Sequence, residues 1–244
     1  MGNEIKAVDS ASKFDQDRAG EYAQQSRIGL AGYDACHDLA ACLLSVTLDS
    51  ESEAQILVVG AGGTAQEIVA ASKLAPNWKF TAVDPSEPML QLSRESLASK
   101  GLEARTELHL GYVRDLRTEK KFDAATLIGV IHHLQGEDKK KEILDEIASK
   151  LKPGAPIILA GNRFDYASKP LFLSAWGELW RMNGVSKEEV ESKRAKILHG
   201  ADPLASNEAV IDLLGSAGFI EAEQFFSSLF WSAWIAKYNP NQSQ

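Results

Sequence analysis

The chain has 244 residues, of which 44% are hydrophobic and 25% are charged, and its net charge is −8. That composition is typical of a globular protein with enough apolar side chains for a sizeable core. No apolar run approaches the roughly 20 residues of a membrane span, and the acidic balance disfavours nucleic-acid binding. We therefore expect neither a membrane nor a nucleic acid as a partner.

The amino-terminal residues and the cysteines indicate in which cellular compartment the protein is expected. Residues 1–20 are polar and show no secretory signal. Cys36 and Cys42 fall in a helix-like stretch and lack the spacing of metal ligands, so we expect two free, buried thiols. We predict a cytoplasmic protein without a metal site.

The periodicity of the chain predicts a single domain at 18–244 behind a flexible tail at 1–17. Strand-like and helix-like segments alternate in the middle of the chain, whereas both ends follow other patterns. Four parts are expected: a helical lid at 18–50, an alternating βα core at 55–161, a helical insertion at 165–200, and a final helix with a hairpin at 205–238.

The predicted lid has a break near Gly29 and Gly32. Its expected buried face consists of residues at helical spacing: Ala35, Leu39, Cys42, Leu43 and Val46. Tyr22, Arg27 and Tyr33 can close over a ligand from the lid, with Arg27 holding a carboxylate. The alternative is that these three side chains only tie the lid to the core.

The strongest motif is an apolar, β-branched run at 55–59 that ends in Gly60-Ala61-Gly62-Gly63, before a helix-like stretch at 64–74. Glycine lacks a Cβ atom, so the chain can turn tightly and a ligand can lie against the backbone. The N-terminus of the following helix presents unpaired N–H groups and the positive end of its dipole. An anionic or hydroxyl-rich ligand is therefore expected at this turn.

A second apolar strand, at 79–84, ends in a carboxylate. Asp84 follows Gly60 by 24 positions (84 − 60), near the spacing of the ribose-binding acid in βαβ nucleotide sites. An ionised aspartate accepts hydrogen bonds from both hydroxyls of a ribose diol. The pair of motifs predicts a nucleoside site, and the alternative is a plain βα turn with a surface aspartate.

Alternation continues after Asp84. The predicted segments are strands at 108–110, 123–129 and 157–159 and helices at 87–99 and 138–151. Such βα units imply a parallel sheet with helices on both faces and a ligand beyond the carboxyl ends of the strands. The fold class is therefore α/β and Rossmann-like.

The alternation stops after Asn162, and a hairpin closes the pattern. The predicted segments are two helices within 168–200, a helix at 207–217, and strands at 219–226 and 229–237. Ser227-Ser228 would join these strands as an antiparallel hairpin at the sheet edge. The aromatic helix at 171–181 could cover a substrate or pair two subunits as a homodimer.

Several of these motifs together resemble the class I S-adenosylmethionine-dependent methyltransferases. They are the glycine turn at 60–63, Asp84, Phe122-Asp123-Ala124, Leu151-Lys152-Pro153-Gly154 and the terminal hairpin. The resemblance extends over about 18–238 and implies a seven-stranded, mostly parallel sheet with a C-terminal antiparallel hairpin. It also implies S-adenosyl-L-methionine as cofactor and methyl transfer to an acceptor, which we expect to be a small molecule.

By position, the resemblance assigns a part of the cofactor to each motif. Gly60, Ala61 and Gly62 would contact its amino-acid part, and Asp84 its ribose diol. The remaining contacts would be Pro85 and Met89 on one side of the adenine, Tyr112 and Val113 on the other, Ile128 beneath the sulfonium, and Tyr22 and Arg27 from the lid.

The chain departs from the family pattern at two polar positions. Val58 stands where the family usually has an acid, and Tyr112 follows Gly111 where an aspartate is common. A tyrosine ring can stack on adenine, but it does not accept a hydrogen bond from the adenine amino group as a carboxylate does.

Methyl transfer is an in-line displacement, so the protein mainly has to hold the reacting atoms in line. A base is needed when the acceptor is a hydroxyl. His132 and His133 follow the fourth strand and are the candidate bases, since histidine titrates near neutrality; a structural pair is the alternative. Tyr33, Trp176 and Arg194 are the predicted acceptor-binding residues.

Three further stretches resemble the carboxy-S-adenosylmethionine synthase group: Arg27 to Tyr33, Arg181 to Arg194, and Ala217 to Trp234. An arginine matching Arg194 helps to hold the extra carboxylate in that synthase, so carboxy-S-adenosylmethionine synthesis is the alternative function. Two other readings stay open. Residues 60–65 fit the G-x-G-x-x-A pattern of an NAD-dependent oxidoreductase, and the departures at 58 and 112 are compatible with a non-catalytic binding protein.

Overall fold

The structure, a computed structural model, describes residues 25–242. The predicted tail at 1–17 and Tyr22 lie outside the described residues. A seven-stranded sheet runs through the described part in the order β3-β2-β1-β4-β5-β7-β6. Its strands are β1 (Gln55–Val59), β2 (Lys79–Asp84), β3 (Thr106–Leu110), β4 (Ala124–Ile128), β5 (Pro156–Asn162), β6 (Phe219–Ser228) and β7 (Trp231–Tyr238).

Helices connect these strands and cover the sheet. They are α1 (Tyr33–Leu48), α2 (Gln66–Ser72), α3 (Glu87–Ala98), α4 (Glu137–Ala148), α5 (Pro170–Met182), α6 (Lys187–Gly200) and α7 (Asn207–Ser216). Short 3-10 turns follow several of the strands, among them Val113–Asp115 after β3 and Ile131–His133 after β4. Among the described helices, none combines the length and apolar composition that crossing a membrane requires.

Three apolar clusters explain how the helices pack. α1, α2 and α3 cover one face of the sheet around Trp78, and α4 and α7 cover the other around Leu144. α5 and α6 pack on the turn of the hairpin, in an aromatic cluster with Trp176 and Phe230. Because both faces of the central strands are covered, their residues are apolar without alternation.

The sheet confirms the predicted fold class. β1, β2, β3, β4 and β5 are parallel, and β7 runs antiparallel to β5 and β6. The chain leaves β1 toward β2 on one side and returns to β4 on the other. A crevice therefore opens beyond the carboxyl ends of β1 and β4, where parallel sheets bind their ligands.

The predicted buried face of α1 is wrong. Leu39 and Val46 are 45% and 80% exposed, and Cys42 is exposed as well, so only one of the two cysteines is a buried thiol. The buried face consists of Tyr33, Cys36, His37, Ala40, Ala41 and Leu44. Small alanines allow α2 to approach closely, and the polar members of this face have partners on α2, which hydrophobic periodicity does not reveal.

The turn of the hairpin also differs from the prediction. Ser227-Ser228 belong to β6, and the turn lies at Leu229 and Phe230. Leu229 adopts a positive φ of 52°, which places the Phe230 ring 1% exposed in the aromatic cluster with α5. Burial of that ring decides the position of the turn, whereas the polar serines only resembled turn residues.

Replacing Gly60 by alanine should destabilise the fold by about 3 kcal/mol. Gly60 has a φ of +72°, and a Cβ atom there would lie 2.2 Å from Val130 Cγ2. Backbone strain and overpacking therefore act together. Urea unfolding of the purified variant measures the change in the free energy of unfolding.

Gly215→Ala is the matched control. Gly215 lies in α7, and a Cβ atom there meets nothing within 4 Å. Alanine in an open helical position stabilises a protein by up to about 1 kcal/mol. Equal effects of the two substitutions would contradict the role given to the turn at Gly60.

Candidate functional site

A large cavity opens beyond the carboxyl ends of β1, β2 and β4. Its volume is about 510 Å³, within the range of small-molecule sites, and its wall is mostly apolar. The lining residues come from the ends of strands, from the four loops after β1, β2, β3 and β4, and from α4: Val59, Gly60, Val83, Pro85, Gly111, Tyr112, Val113, Arg114, Val130, His133, Leu134, Gln135, Lys139, Glu142, Ile143 and Glu146. The sheet therefore places a pocket at the predicted crevice.

The glycine turn is held closed by its own amide groups. Gly60 and Ala61 donate to the Val83 carbonyl at 2.8 and 3.3 Å, and Gly63 donates to the Met89 carbonyl at 3.0 Å. We expected these residues to approach a ligand, and in this structure Gly60 lines the cavity, while Ala61 is buried beneath it. These hydrogen bonds fix the shape of the turn, and a ligand can lie against its surface.

Asp84 joins the first and second βα units. Its carboxylate accepts the Gly62 N–H at 3.0 Å and the Ser86 N–H at 2.8 Å. A Cβ atom on residue 62 would lie 2.6 Å from Asp84 Oδ2, so only glycine fits. Burial raises the pKa of Asp84, although the hydrogen bonds from the Ser86 and Gly62 N–H groups act in the opposite direction. Each carboxylate oxygen has a second lone pair, so hydroxyl groups of a ligand can still bind there.

Two of the predicted adenine contacts, Pro85 and Tyr112, line the cavity. Pro85 follows β2, and Tyr112 follows β3 with its ring against the Arg114 guanidinium, 4.3 Å from ring centre to Cζ. Arg114 is held in turn by Glu146 at 3.2 Å. Met89 and Ile128 do not line the cavity, because both side chains are buried in the packing around it.

A buried polar cluster connects α1 to α2 beside the glycine turn. The Tyr33 hydroxyl is 2.9 Å from Thr64 Oγ1, and His37 Nε2 is 3.9 Å from Glu67 Oε2. His37 Nδ1 donates to the Tyr33 carbonyl, since a carbonyl oxygen only accepts. Burial raises the pKa of Glu67, and the nearby His37 partly offsets that shift.

His132 and His133 bring two parts of the site together. Their rings are 4.2 Å apart; His133 lines the large cavity, and His132 is buried, edge-on to Trp231. The Asn162 N–H lies 3.4 Å from His132 Nδ1. The pair thus extends from the cavity to the end of β5.

A narrow gap beyond His132 lies between α5 and the hairpin turn. It has no room for a water molecule. Its lining residues are Gly29, Ala31, Asn162, Trp176, Ser228, Leu229, Phe230 and Trp231. The Asn162 amide donates to the Tyr166 hydroxyl at 2.8 Å, and burial raises the pKa of Tyr166 to about 12. Trp176, a predicted acceptor-binding residue, therefore reaches this gap.

Two predicted arginines lie away from the cavity in this structure. Arg27 is paired with Asp34 at 3.1 Å and lies near the Tyr33 ring. Arg194 lies on α6, where it donates to Ser174 on α5 at 3.3 Å. Neither lines the large cavity, so their roles in ligand binding stay predictions. Within the described part of the chain, no three histidine, cysteine or acidic side chains gather as a metal site.

The charged wall of the cavity on α4 was missed by sequence reasoning. Lys139, Glu142 and Glu146 are spaced three and four residues apart, so they share one face of the helix with Ile143. That spacing was visible in the sequence. It did not reveal that this face meets the loop after β3, because the contact depends on how α4 packs.

A buried ion pair fixes the turn that carries the histidines. Lys140 is 2% exposed and lies 2.6 Å from Asp202, which also accepts the Gly136 N–H at 2.7 Å. The Asp202 N–H donates to the His132 carbonyl at 2.8 Å. Although partial burial opposes it, bonding to Lys140 and Gly136 holds the pKa of Asp202 below its usual value. The segment after α6 thereby supports the turn after β4.

Comparison with known proteins agrees with this architecture. Residues 57–157 match the family described as a methyltransferase domain. The carboxy-S-adenosyl-L-methionine synthase of Shewanella sediminis is 30% identical over 129 residues, which cover 52% of this chain and 52% of that protein. The chain thus spans about half the length of this curated relative.

Solved structures share the fold at low sequence identity. An O-methyltransferase family 2 protein from Planctomyces limnophilus, in complex with apigenin, has a TM-score of 0.64 and 15% identity, covering 96% of this chain and 63% of its own. Human N-acetylserotonin methyltransferase, in complex with S-adenosylmethionine, has a TM-score of 0.60 and 15% identity, covering 92% and 57%.

These findings define the fold of the chain and one domain match. The chain has the fold of S-adenosylmethionine-dependent methyltransferases, and residues 57–157 match the methyltransferase-domain family. The resemblance predicted from the glycine turn, Asp84 and the terminal hairpin is confirmed. The chain is similar in sequence to carboxy-S-adenosyl-L-methionine synthases. It is similar in fold to small-molecule methyltransferases.

Replacing Glu67 by glutamine should stabilise the protein at alkaline pH. The pKa of the folded carboxyl is raised, so the folded state holds this proton more tightly than the unfolded chain. Stability is then greatest below the unfolded pKa and is lost as pH rises through the folded pKa. The neutral amide removes that loss, which urea unfolding at several pH values measures.

The control for this measurement is Glu95→Gln, on the exposed side of α3. Its stability should follow the wild-type curve at every pH. Loss of stability in Glu67→Gln at alkaline pH would instead show that the carboxylate contributes more to the folded state than its desolvation costs.

Breaking the Lys140–Asp202 pair should destabilise the protein by about 2 kcal/mol. Asp202→Ala leaves a buried ammonium group without its partner, which is costly, although the partial exposure of Asp202 reduces the effect. Asp145→Ala breaks the exposed pair with Lys141 on the same helix and should cost under about 1 kcal/mol. Thermal unfolding of both variants gives the comparison, and similar losses would refute it.

Proposed function

We propose that this protein is an S-adenosylmethionine-dependent methyltransferase that acts on a small-molecule acceptor. The observation that carries the proposal is the 510 Å³ cavity beyond β1, β2 and β4, lined by Gly60 and His133, with Asp84 between its lining residues Val83 and Pro85. The match of 57–157 to a methyltransferase domain supports it. We also retain as proposals a cytoplasmic location and a homodimer.

The residues of the cavity fit the cofactor that the fold implies. Apolar side chains of Val83, Pro85 and Val113 provide flat walls for a nucleobase, and Asp84 offers carboxylate lone pairs for a sugar diol. Gly60 and Gly62 fix the turn against which the amino-acid part would lie. When bound, S-adenosylmethionine supplies an electrophilic methyl group.

The chain's own contribution is mainly alignment. Holding an acceptor and a methyl carbon in line can supply roughly 7–11 kcal/mol of the barrier. His133 faces the cavity, and His132 faces the gap beside Asn162, so the pair lies between the two regions that the reactants would occupy. For a hydroxyl acceptor, either imidazole would take the proton as transfer occurs.

Acceptor binding is proposed at the gap between α5 and the hairpin turn. Trp176 reaches it from α5, and Tyr33 closes the opposite side of the site through Thr64. An acceptor would have to widen this gap, since it is closed to water in the structure. Movement of 25–32 relative to α5 would be sufficient, because Gly29 and Ala31 form its other wall.

Carboxy-S-adenosylmethionine synthesis is the second candidate. It is favoured by the names of the curated relatives and by an arginine at 194. Arg194 packs against Ser174 and Gly177 on α5, the helix that also carries Trp176. Mass spectrometry of the ligand retained by the purified protein separates the candidates, since a carboxylated cofactor is heavier than S-adenosylmethionine.

A thermal-shift experiment tests the proposed function. S-adenosylmethionine and S-adenosylhomocysteine should each raise the melting temperature, whereas NAD should not, because binding to the folded state stabilises it. Asp84→Ala should weaken S-adenosylhomocysteine binding at least tenfold, about 1.4 kcal/mol, through the lost contact with the diol.

Asp145→Ala, far from the cavity on the exposed side of α4, should leave that affinity unchanged. A shift with NAD alone would favour the oxidoreductase reading. No shift with either sulfur-containing nucleoside would overturn the proposal.

A further inference from the structure

The outer wall of the large cavity is a network of charged side chains. Lys139 lies 2.7 Å from Glu142, and Arg114 lies 3.2 Å from Glu146. These two pairs meet where Glu142 faces Arg114 at 3.9 Å. All four side chains line the cavity, so a ligand that fills the cavity meets this wall at its far end.

The hydrogen-bonding capacity of this wall is unevenly used. Glu146 accepts from both the backbone N–H and the guanidinium of Arg114, so both of its oxygens are engaged. Glu142 Oε2 accepts from Lys139. Glu142 Oε1 accepts no hydrogen bond from the described residues, and its distance of 3.9 Å from Arg114 Nη1 is too long for one.

Most of the remaining cavity lining is apolar. Val83, Pro85 and Val113 belong to it, and Tyr112 stands beside them with its ring covered by Arg114. A planar base between these residues would direct its polar edge away from the apolar side chains. The wall on α4 is the charged part of the cavity lining that such an edge can face.

We propose that Glu142 selects the base of the bound nucleoside, with Oε1 accepting a hydrogen bond from an exocyclic amino group. This inference rests on the proposed function and adds to it the residue that distinguishes a 6-amino purine from a 6-oxo purine. Bonding to Lys139 lowers the pKa of Glu142, so the carboxylate is ionised and only accepts. A 6-oxo group also only accepts, and two facing acceptors repel each other.

Arg114 is already engaged within the wall. One of its guanidinium nitrogens pairs with Glu146, and the group stacks on Tyr112. Selection of the amino form therefore rests on Oε1 of Glu142.

The test compares S-adenosylhomocysteine with S-inosylhomocysteine, which differ at the 6-position. Isothermal titration calorimetry on the full chain should show wild-type protein binding the adenosyl compound at least tenfold more tightly. Glu142→Ala should lose about tenfold in affinity for the adenosyl compound and little for the inosyl compound. Glu142→Gln, whose amide both donates and accepts, should bind the two within about threefold of each other.

Asp145→Ala is the matched control, since it breaks a pair with Lys141 on the same helix but outside the cavity. It should keep the wild-type selectivity. Binding of both compounds with selectivity unchanged in Glu142→Ala would overturn this inference and leave the proposed function standing. Failure of wild-type protein to bind either compound would overturn the proposed function, and the inference with it.

Discussion

The contact on which the site depends joins the Asp84 carboxylate to the amide of Gly62. It ties the end of β2 to the turn after β1 and, through Ser86, to the start of α3. The approach is so close that a side chain at residue 62 would collide with both Asp84 and Met89. One carboxylate thus determines the shape of the glycine turn, the entry into α3 and the floor of the crevice.

The ionisable groups around this contact differ in how their charges are compensated. Asp84 and Glu67 are desolvated beside the turn, and the pKa of each is raised. A ligand carrying positive charge near the turn would favour the ionised forms of both carboxyls. Lys140 is buried too, but its charge is balanced by Asp202. The ionisation of Asp84 and Glu67 therefore depends on what binds near the turn, whereas the Lys140–Asp202 ion pair maintains the turn that carries the histidines.

The proposed recognition of a ligand combines the charged wall on α4 with the apolar part of the cavity lining. Apolar burial gives affinity with little direction, whereas hydrogen bonds to a carboxylate depend on which atoms the ligand presents. Tyr112 follows β3, and its ring lies against the Arg114 guanidinium. If Glu142 reads the base as proposed, selectivity in this site depends on the contact between α4 and the loop after β3.

The sequence by itself determined the sheet and the position of the crevice. Apolar runs ending in Gly60 and Asp84 are local signals, because strand, turn and helix each depend on neighbouring residues. Only the tertiary structure decided which face of α1 is buried, since Tyr33 and His37 meet Thr64 and Glu67 across 31 and 30 positions of sequence (64 − 33 and 67 − 37). The α4 wall and the Asp202 support of His132 were likewise decided by packing, because both join segments whose proximity no periodicity encodes.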